Sequence, residues 1–331
     1  MSDVSSPTVS LQSVATYDLN ELRAGLDHTL EPWGGMAGIL AGVPQSSDRP
    51  LRVLLKPNLL TGSRPQHECT TRPEIVRVVA EAVRAAGGKP FIGDSPAFGS
   101  ARGVAAQNGL LPVCDELNLP IVEFCGQRYS APEGATFAHL RLSKEALGAD
   151  VVINLPKVKS HAQLTVTLGV KNLFGCVPGK MKAWWHMEAG KDKLRFGKML
   201  VETAIAIAPQ LSIVDGIIGH EGNGPSGGTA RPLGLLGAAT DVFALDRVLM
   251  AVLDVDPETV PIYLAGCELG VMPEMEDIAI AGTDWRELRV DDWRLPDRLI
   301  PIDFGAPRVL RSTLKHVLTL WSEARSLPRK A

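Results

Sequence analysis

An α/β protein, with a largely parallel sheet and helices on both of its faces, is the fold class this sequence predicts. Three observations predict it. Short apolar runs alternate along the chain with amphipathic stretches of helical period. The stretches open at Pro, Thr or Asp and close at Gly, as helices do. One run, 149–155 (ADVVINL), is apolar on both faces, which suits a strand covered on both sides.

Taken in order, Leu19, Leu22, Leu26 and Leu30 share one face of a first helix. Residues 51–55 (LRVLL) read as a strand. Thr71 and Pro73 open a helix whose Ile75, Val79, Ala82, Val83 and Ala86 share a face, and Gly87 and Gly88 stop it. Strands are predicted at 90–94 and 119–124, with a weaker helix over about 103–117 between them. After the 149–155 strand, alternation of Leu164, Val166, Leu168 and Val170 with Thr165, Thr167, Gly169 and Lys171 predicts a strand with Lys171 on its polar face. A helix is predicted at 194–208 and a strand at 211–215. Thr240 or Asp241 caps a helix with a stripe of Leu245, Val248, Leu249 and Val252. The expected organisation is two α/β lobes, 1–148 and 149–283, with a site between them. Residues 284–331 form an irregular, proline-rich connection and an amphipathic helix at 308–325, which docks on the body or supports a homodimer.

The chain has 331 residues and a net charge of −3, so no general basic surface exists to recruit nucleic acid or acidic lipid. The five cysteines (Cys69, Cys114, Cys125, Cys176, Cys267) are scattered, with no C-x-x-C, which excludes a ferredoxin-type motif and a disulfide framework within this chain. No signal-like N-terminus is visible, and no apolar run reaches the ~18 residues of a membrane span. A cytoplasmic protein with no membrane or nucleic-acid partner is expected.

In parallel sheets, ligands bind beyond the carboxyl ends of strands. Polar residues stand just after each predicted strand: Lys56 and Asn58; Asp94 and Ser95; Lys157, Lys159 and His161; Asp215, His220 and Glu221. If 156–161 is extended, Lys157, Lys159 and His161 point the same way, where their like charges repel unless an anion joins them. A lysine among cations loses proton affinity and can act as a base, and histidine suits proton transfer. The bland reading is lysines reaching to solvent. In 220–228 (HEGNGPSGG), the G-x-G-x-x-G spacing is interrupted by Pro225 and leads into no helix, so it is no dinucleotide fingerprint. Amides near Asn223 and Gly224 either cradle an anion or form a plain turn. Trp184, Trp185 and His186 lie in a stretch read as a mobile loop that closes over substrate or packs on the body. His161, His186, His220 and Asp215, with Glu221, are candidate metal ligands, though no H-x-x-x-H or G-x-S-x-G motif occurs.

Several blocks resemble the family catalogued as domain of unknown function three-six-two. They are Lys56-Pro57-Asn58, Thr71-Arg72-Pro73, Gly93-Asp94-Ser95-Pro96, Asn154-Leu155-Pro156-Lys157-x-Lys159-x-His161 and Lys171-Asn172-Leu173-Phe174-Gly175. Pro178-Gly179, Asp215-Gly216, Glu221-Gly222-Asn223-Gly224-Pro225 and Ala244-Leu245-Asp246 complete the set. The resemblance implies no general reaction. Many members carry ferredoxin-like cysteine segments that this chain lacks, so a cluster is not carried over. His220 and Val242 stand where the family pattern leads one to expect Met and Pro. A fainter similarity to lactate-racemase-like proteins, in Lys159-x-His161 and Leu168-Gly169-Val170-Lys171, implies acid–base chemistry beside a carboxylate and a nickel-containing cofactor.

The expected function is an enzyme acting on a small anionic metabolite, of isomerase or lyase type. His161, Lys171 and Glu221 are the expected catalytic groups. Lys56, Asn58, Asp94, Ser95, Lys157, Lys159, Asn172, Asn223 and Gly224 are expected to bind the substrate. The alternatives are a redox protein, using a metal, a flavin or a partner's iron–sulfur cluster, and a non-catalytic anion binder.

Overall fold

The structure, a computed structural model, describes residues 6–44, 49–179, 182, 185, 188 and 192–301. Through strand β3 the order is β1 (Thr8–Ser13), α1 (Leu19–Leu30), α2 (Gly35–Ala41), β2 (Arg52–Pro57), α3 (Pro73–Ala85) and β3 (Lys89–Asp94). Next come α4 (Ala101–Gln107), α5 (Leu110–Glu116), β4 (Ile121–Glu123), β5 (Gly126–Ser130), β6 (His139–Ser143), α6 (Lys144–Leu147) and β7 (Val151–Leu155). The rest is β8 (Lys157–His161), β9 (Thr165–Thr167), α7 (Gly169–Asn172), α8 (Lys193–Ile207), β10 (Leu211–Glu221), β11 (Thr229–Ala239), α9 (Val242–Val252), α10 (Pro261–Glu268) and β12 (Ala279–Gly282).

Among the described residues one ten-stranded sheet runs in the order β12-β1-β11-β10-β7-β2-β3-β4, with β8 paired to β10 and β9 to β8. From β10 to β4 neighbouring strands on this path are parallel, so β7, β2 and β3 end side by side. Alternation divides the apolar side chains between two cores. Val53, Leu55, Ile153 and Ile213 face α1 to α5, whereas Leu54, Val152 and Val214 face α8, α9 and α10. The α/β class with helices on both faces is therefore observed. The sheet is continuous across residue 148: β2 pairs with β7, and β1 with β11 and β12. The two segments thus contribute to one sheet.

Two elements differ from the sequence expectation. The helix over 103–117 is two helices, α4 and α5, because Gly109 adopts φ +75° between them. The strand expected through Lys171 stops at Thr167, and α7 begins at Gly169. The cause is distant in sequence. The buried Asp246 carboxylate accepts the backbone N–H groups of Gly169 (2.6 Å) and Val170 (3.0 Å), satisfying a helix start that the local alternation does not reveal. The helix expected at 308–325, with the dimer contact suggested for it, lies outside the described residues.

Candidate functional site

Strand β8 sends Lys157 and Lys159 toward the Glu68–Cys69 segment, on one side, as alternation predicts. Their surroundings differ. The Lys157 ammonium donates to Tyr17 Oη (2.8 Å), Glu68 Oε2 (3.0 Å) and Asp215 Oδ2 (3.0 Å), which uses all three hydrogens. Tyr17 donates to Asp215 Oδ1 at 2.7 Å. Burial, then the charges of Asp215 and Glu68, push the Tyr17 hydroxyl far above its ordinary value, so it stays protonated. Arg72 joins the group by pairing with Glu68 at 3.2 Å and stacking 4.6 Å from the Tyr17 ring. This is a closed, charge-balanced network whose disruption would strand a buried charge. It leaves Lys157 no donor for an anion, and Asp215 already accepts from Tyr17, Lys157 and the Arg72 N–H.

Next to it lies a set of amines without such balance. Lys56, at the end of β2, is fully buried and pairs with Asp94, at the end of β3, at 2.9 Å. The other Asp94 oxygen accepts the Leu59 N–H at 3.0 Å. Gly175 makes this pairing fit: a Cβ there would lie 2.0 Å from Asp94 Oδ1 and 2.4 Å from Lys56 Nζ. Among the described residues the Lys159 ammonium, 1% exposed, donates to neutral oxygens alone, Asn58 Oδ1 (2.9 Å) and the Cys69 carbonyl (2.7 Å). Burial first, and then repulsion from Lys157 and Lys56, lower it to about 7 against the pull of Cys69 and Asp94. Asn58 and Asn154 hold the Asn172 side chain, at 2.9 and 2.8 Å.

That chain of amides anchors α7, and α7 carries Lys171. The Lys171 amine lies 4.7 Å from the Phe174 ring centroid and, among the described residues, makes no hydrogen bond or ion pair. The residue is half-buried. Desolvation lowers the amine to about 7, and the Lys182, Lys159 and Lys56 ammonium groups add to the effect. Lys182 lies 5.8 Å over the same ring, donates to the Ser95 carbonyl, and is lowered to about 8, first by burial. Ser95 Oγ accepts the Gly179 N–H at 3.0 Å and so ties down the segment after α7. Four lysine amines therefore influence one another around a single carboxylate, Asp94. A cluster with such an excess of amines over carboxylates favours an anion, and it holds the Lys171 amine near neutrality.

The remaining expected residues sit elsewhere. Glu221 is occupied by Arg294, through the guanidinium at 2.7 Å and the backbone N–H at 3.1 Å. Asn223 exchanges hydrogen bonds with Asp297 at 2.7 and 3.2 Å. A Cβ on Gly224 would lie 1.8 Å from the Ser160 carbonyl, so that glycine allows close backbone approach. The amides of Gly222, Gly224 and Gly228 donate to Arg294, Gly222 and His220 respectively, so the Gly-rich loop fastens the 292–300 segment and these amides cradle no anion. His161 Nδ1 accepts the Gln163 N–H at 3.1 Å in the turn between β8 and β9. His220 Nε2 accepts the Gly228 N–H at 3.0 Å, and burial lowers this imidazole to about 4. Trp184 and His186 lie outside the described residues. Trp185 is buried and packs edge-on against Phe137 at 5.2 Å.

The family described as Domain of unknown function (DUF362) matches residues 53–251 of this chain. The chain belongs to that family. This DUF362 protein is 62% identical over 309 residues to "Thylakoid-associated protein sll1697" from Synechocystis sp., covering 93% of this chain and 94% of that relative. A solved structure, lactate racemase apoprotein from Thermoanaerobacterium thermosaccharolyticum, aligns with a TM-score of 0.45 at 12% identity. The alignment covers 73% of this chain and 56% of that one. No helix among the described residues of the DUF362 protein is long and apolar enough to cross a membrane.

The family blocks divide between the two networks. Lys56 to Asn58, Asp94 and Lys171 to Gly175 build the amine cluster, whereas Lys157, Arg72 and Asp215 build the closed one, and the Thr71 hydroxyl braces Asn58. Sequence reasoning gave no role to Phe174, Lys182, Asp246, Tyr17 or Glu68. Phe174 and Asp246 stand inside blocks quoted for the resemblance, and only spacing along the chain hid their purpose. Tyr17 carries no such signal, since its partner Asp215 lies 198 residues away.

Proposed function

We propose that this DUF362 protein is an enzyme acting on a small carboxylate- or phosphate-bearing metabolite, with proton transfer at Lys171. One observation carries the reading: Lys171, a half-buried residue, holds a desolvated amine near neutrality among three further lysine amines that share one carboxylate. Such an amine is split between base and acid forms at pH 7, which suits abstracting and returning a proton. The Lys182 and Lys56 charges favour an anionic group beside it, and Phe174 supplies an apolar floor that keeps the amine desolvated. Lys171 thus takes the proton-transfer role without His161, whose observed bond lies in the β8–β9 turn.

A nickel-containing cofactor, implied by the fainter resemblance, does not fit the residues described. No three His, Cys, Asp or Glu side chains converge among them, and Lys159 is sealed by Asn58 and Cys69. Among the described residues no observation favours the redox alternative, and burial pushes the Cys176 thiol up to about 12. Cytoplasmic location stays part of the proposal, and cell fractionation would distinguish it from the thylakoid association that the relative's name states.

The test is a screen of small hydroxy, oxo and phosphorylated acids for turnover and thermal stabilisation. Stabilisation and turnover should both appear in the wild type and both be lost in Lys171→Ala. Stabilisation without product would make the protein a binder. Neither effect with any acid would remove the anion site.

A further inference from the structure

We propose that Lys171 is also a nucleophile, condensing with the carbonyl of a small 2-oxo acid to form a Schiff base; this deepens, and rests on, the anion-site reading above. The geometry separates Lys171 from Lys56, Lys157, Lys159 and Lys182, the other described amines of the region. Lys157 spends its three hydrogens on Tyr17, Glu68 and Asp215. Lys56 is fully buried against Asp94, and Lys159 is sealed at 1% exposure. Lys182 is bound to the Ser95 carbonyl. Lys171 alone combines partial accessibility with an amine that makes no hydrogen bond among the described residues.

Its position is fixed from below. Asp246 pins the first two backbone N–H groups of α7, and Asn58 and Asn154 pin the neighbouring Asn172 side chain. Phe174 lies under both Lys171 and Lys182, at 4.7 and 5.8 Å. An amine on an apolar bed beside a second cation is the arrangement that makes lysine nucleophilic at neutral pH. With its amine lowered to about 7, about half of Lys171 is unprotonated there, against less than one part in a thousand for an ordinary lysine.

The substrate class comes from the two demands of the site. The amine needs a carbonyl, and the Lys182 ammonium beside it over the Phe174 ring favours a carboxylate close to that carbonyl. A 2-oxo acid carries both on adjacent carbons. In the step, the Lys171 nitrogen attacks the carbonyl carbon and the C=O π pair moves to oxygen. The nitrogen then loses one proton and the oxygen gains two, one from the Lys182 ammonium, and leaves as water. Amine, carbonyl and one added proton give a protonated imine and water, with nothing oxidised or reduced. The protonated imine then acidifies the C–H next to the former carbonyl carbon.

The experiment treats the full-length protein with pyruvate and cyanoborohydride near pH 7 and maps the stable N-carboxyethyl product by peptide mass spectrometry. Labelling of Lys171 should exceed that of the exposed Lys144 by roughly tenfold or more, given the difference in neutral amine. It should vanish from that position in Lys171→Arg. A parallel thermal-shift series uses pyruvate and lactate, an anion lacking the ketone, on the wild type and Lys171→Ala. Labelling no faster than at Lys144 overturns the Schiff base, while lactate stabilisation lost in Lys171→Ala leaves the anion site standing. No labelling and no stabilisation by either acid overturns both.

Discussion

Replacing Lys159 by Met should change how the stability of this protein depends on pH. The Lys159 amine is 1% exposed and lies at about 7, against an ordinary value of 10.5. Because the folded value is below the unfolded one, folding penalises the protonated form. The penalty is full below about 7, shrinks as pH rises from 7 to 10.5, and is absent above. At ~1.4 kcal/mol per pH unit, the full penalty is roughly 5 kcal/mol, and roughly 3 kcal/mol of it is relieved between pH 6 and pH 9. Lys159→Met removes this term and leaves Asn58 Oδ1 and the Cys69 carbonyl without their donor, a cost of about 1–3 kcal/mol each with little pH dependence. Urea unfolding of both proteins at pH 6 and pH 9 measures the difference; Lys171 and His220 feel the Lys159 charge only as a lesser cause than burial, so the Lys159 term dominates it. The wild type should gain about 3 kcal/mol more than the variant across that interval. Parallel stabilities at the two pH values would show that Lys159 titrates as a solvated lysine, and the account of a desolvated amine cluster would be wrong.

Three further outcomes are expected. Asp246→Ala should lower stability by about 2–4 kcal/mol, because it strands the buried N–H groups of Gly169 and Val170, while Asp246→Asn should recover part of the loss; urea midpoints measure both. Gly175→Ala should cost about 3–5 kcal/mol by wedging Lys56 from Asp94, read by thermal unfolding, and a loss below about 1 kcal/mol would mean the pair tolerates separation. Once a turnover substrate is found, its rate should rise with pH through about 7, as Lys171 becomes unprotonated, and Lys171→Arg should abolish the reaction.

Much of the fold is legible in the sequence because the parallel strands and their helices carry local signals. Pro73 starts α3, Gly87 at φ +84° ends it, and Asp241 caps α9. The hairpin of β5 and β6 and the strands β1 and β12 are not legible, since their signals are short and half-polar, and the eleven-residue β11 is masked by its exposed polar start and by Pro232 and Gly234. The meeting of polar side chains such as Lys56 and Asp94 is legible, because residues at neighbouring strand ends lie side by side in a parallel sheet. The site's division of labour is not. That Lys157 is neutralised while Lys159 is not depends on Tyr17, Glu68 and Asp215, contributed by three separate regions. That Lys171 lies on a helix depends on Asp246, 75 residues further along in sequence and invisible to any local pattern. Glu221 and Asn223 have the look of ligand contacts in the sequence and instead anchor Arg294 and Asp297.

The most direct measurement is an NMR titration of the Lys171 side-chain amine in selectively labelled protein, alone and with a small carboxylic acid such as pyruvate or lactate. A midpoint close to 7 for the protein alone, and a response of the Lys171 signal to the added acid, are the predicted result. A midpoint near the ordinary lysine value of about 10.4 that ignores every added acid would contradict the existence of the site.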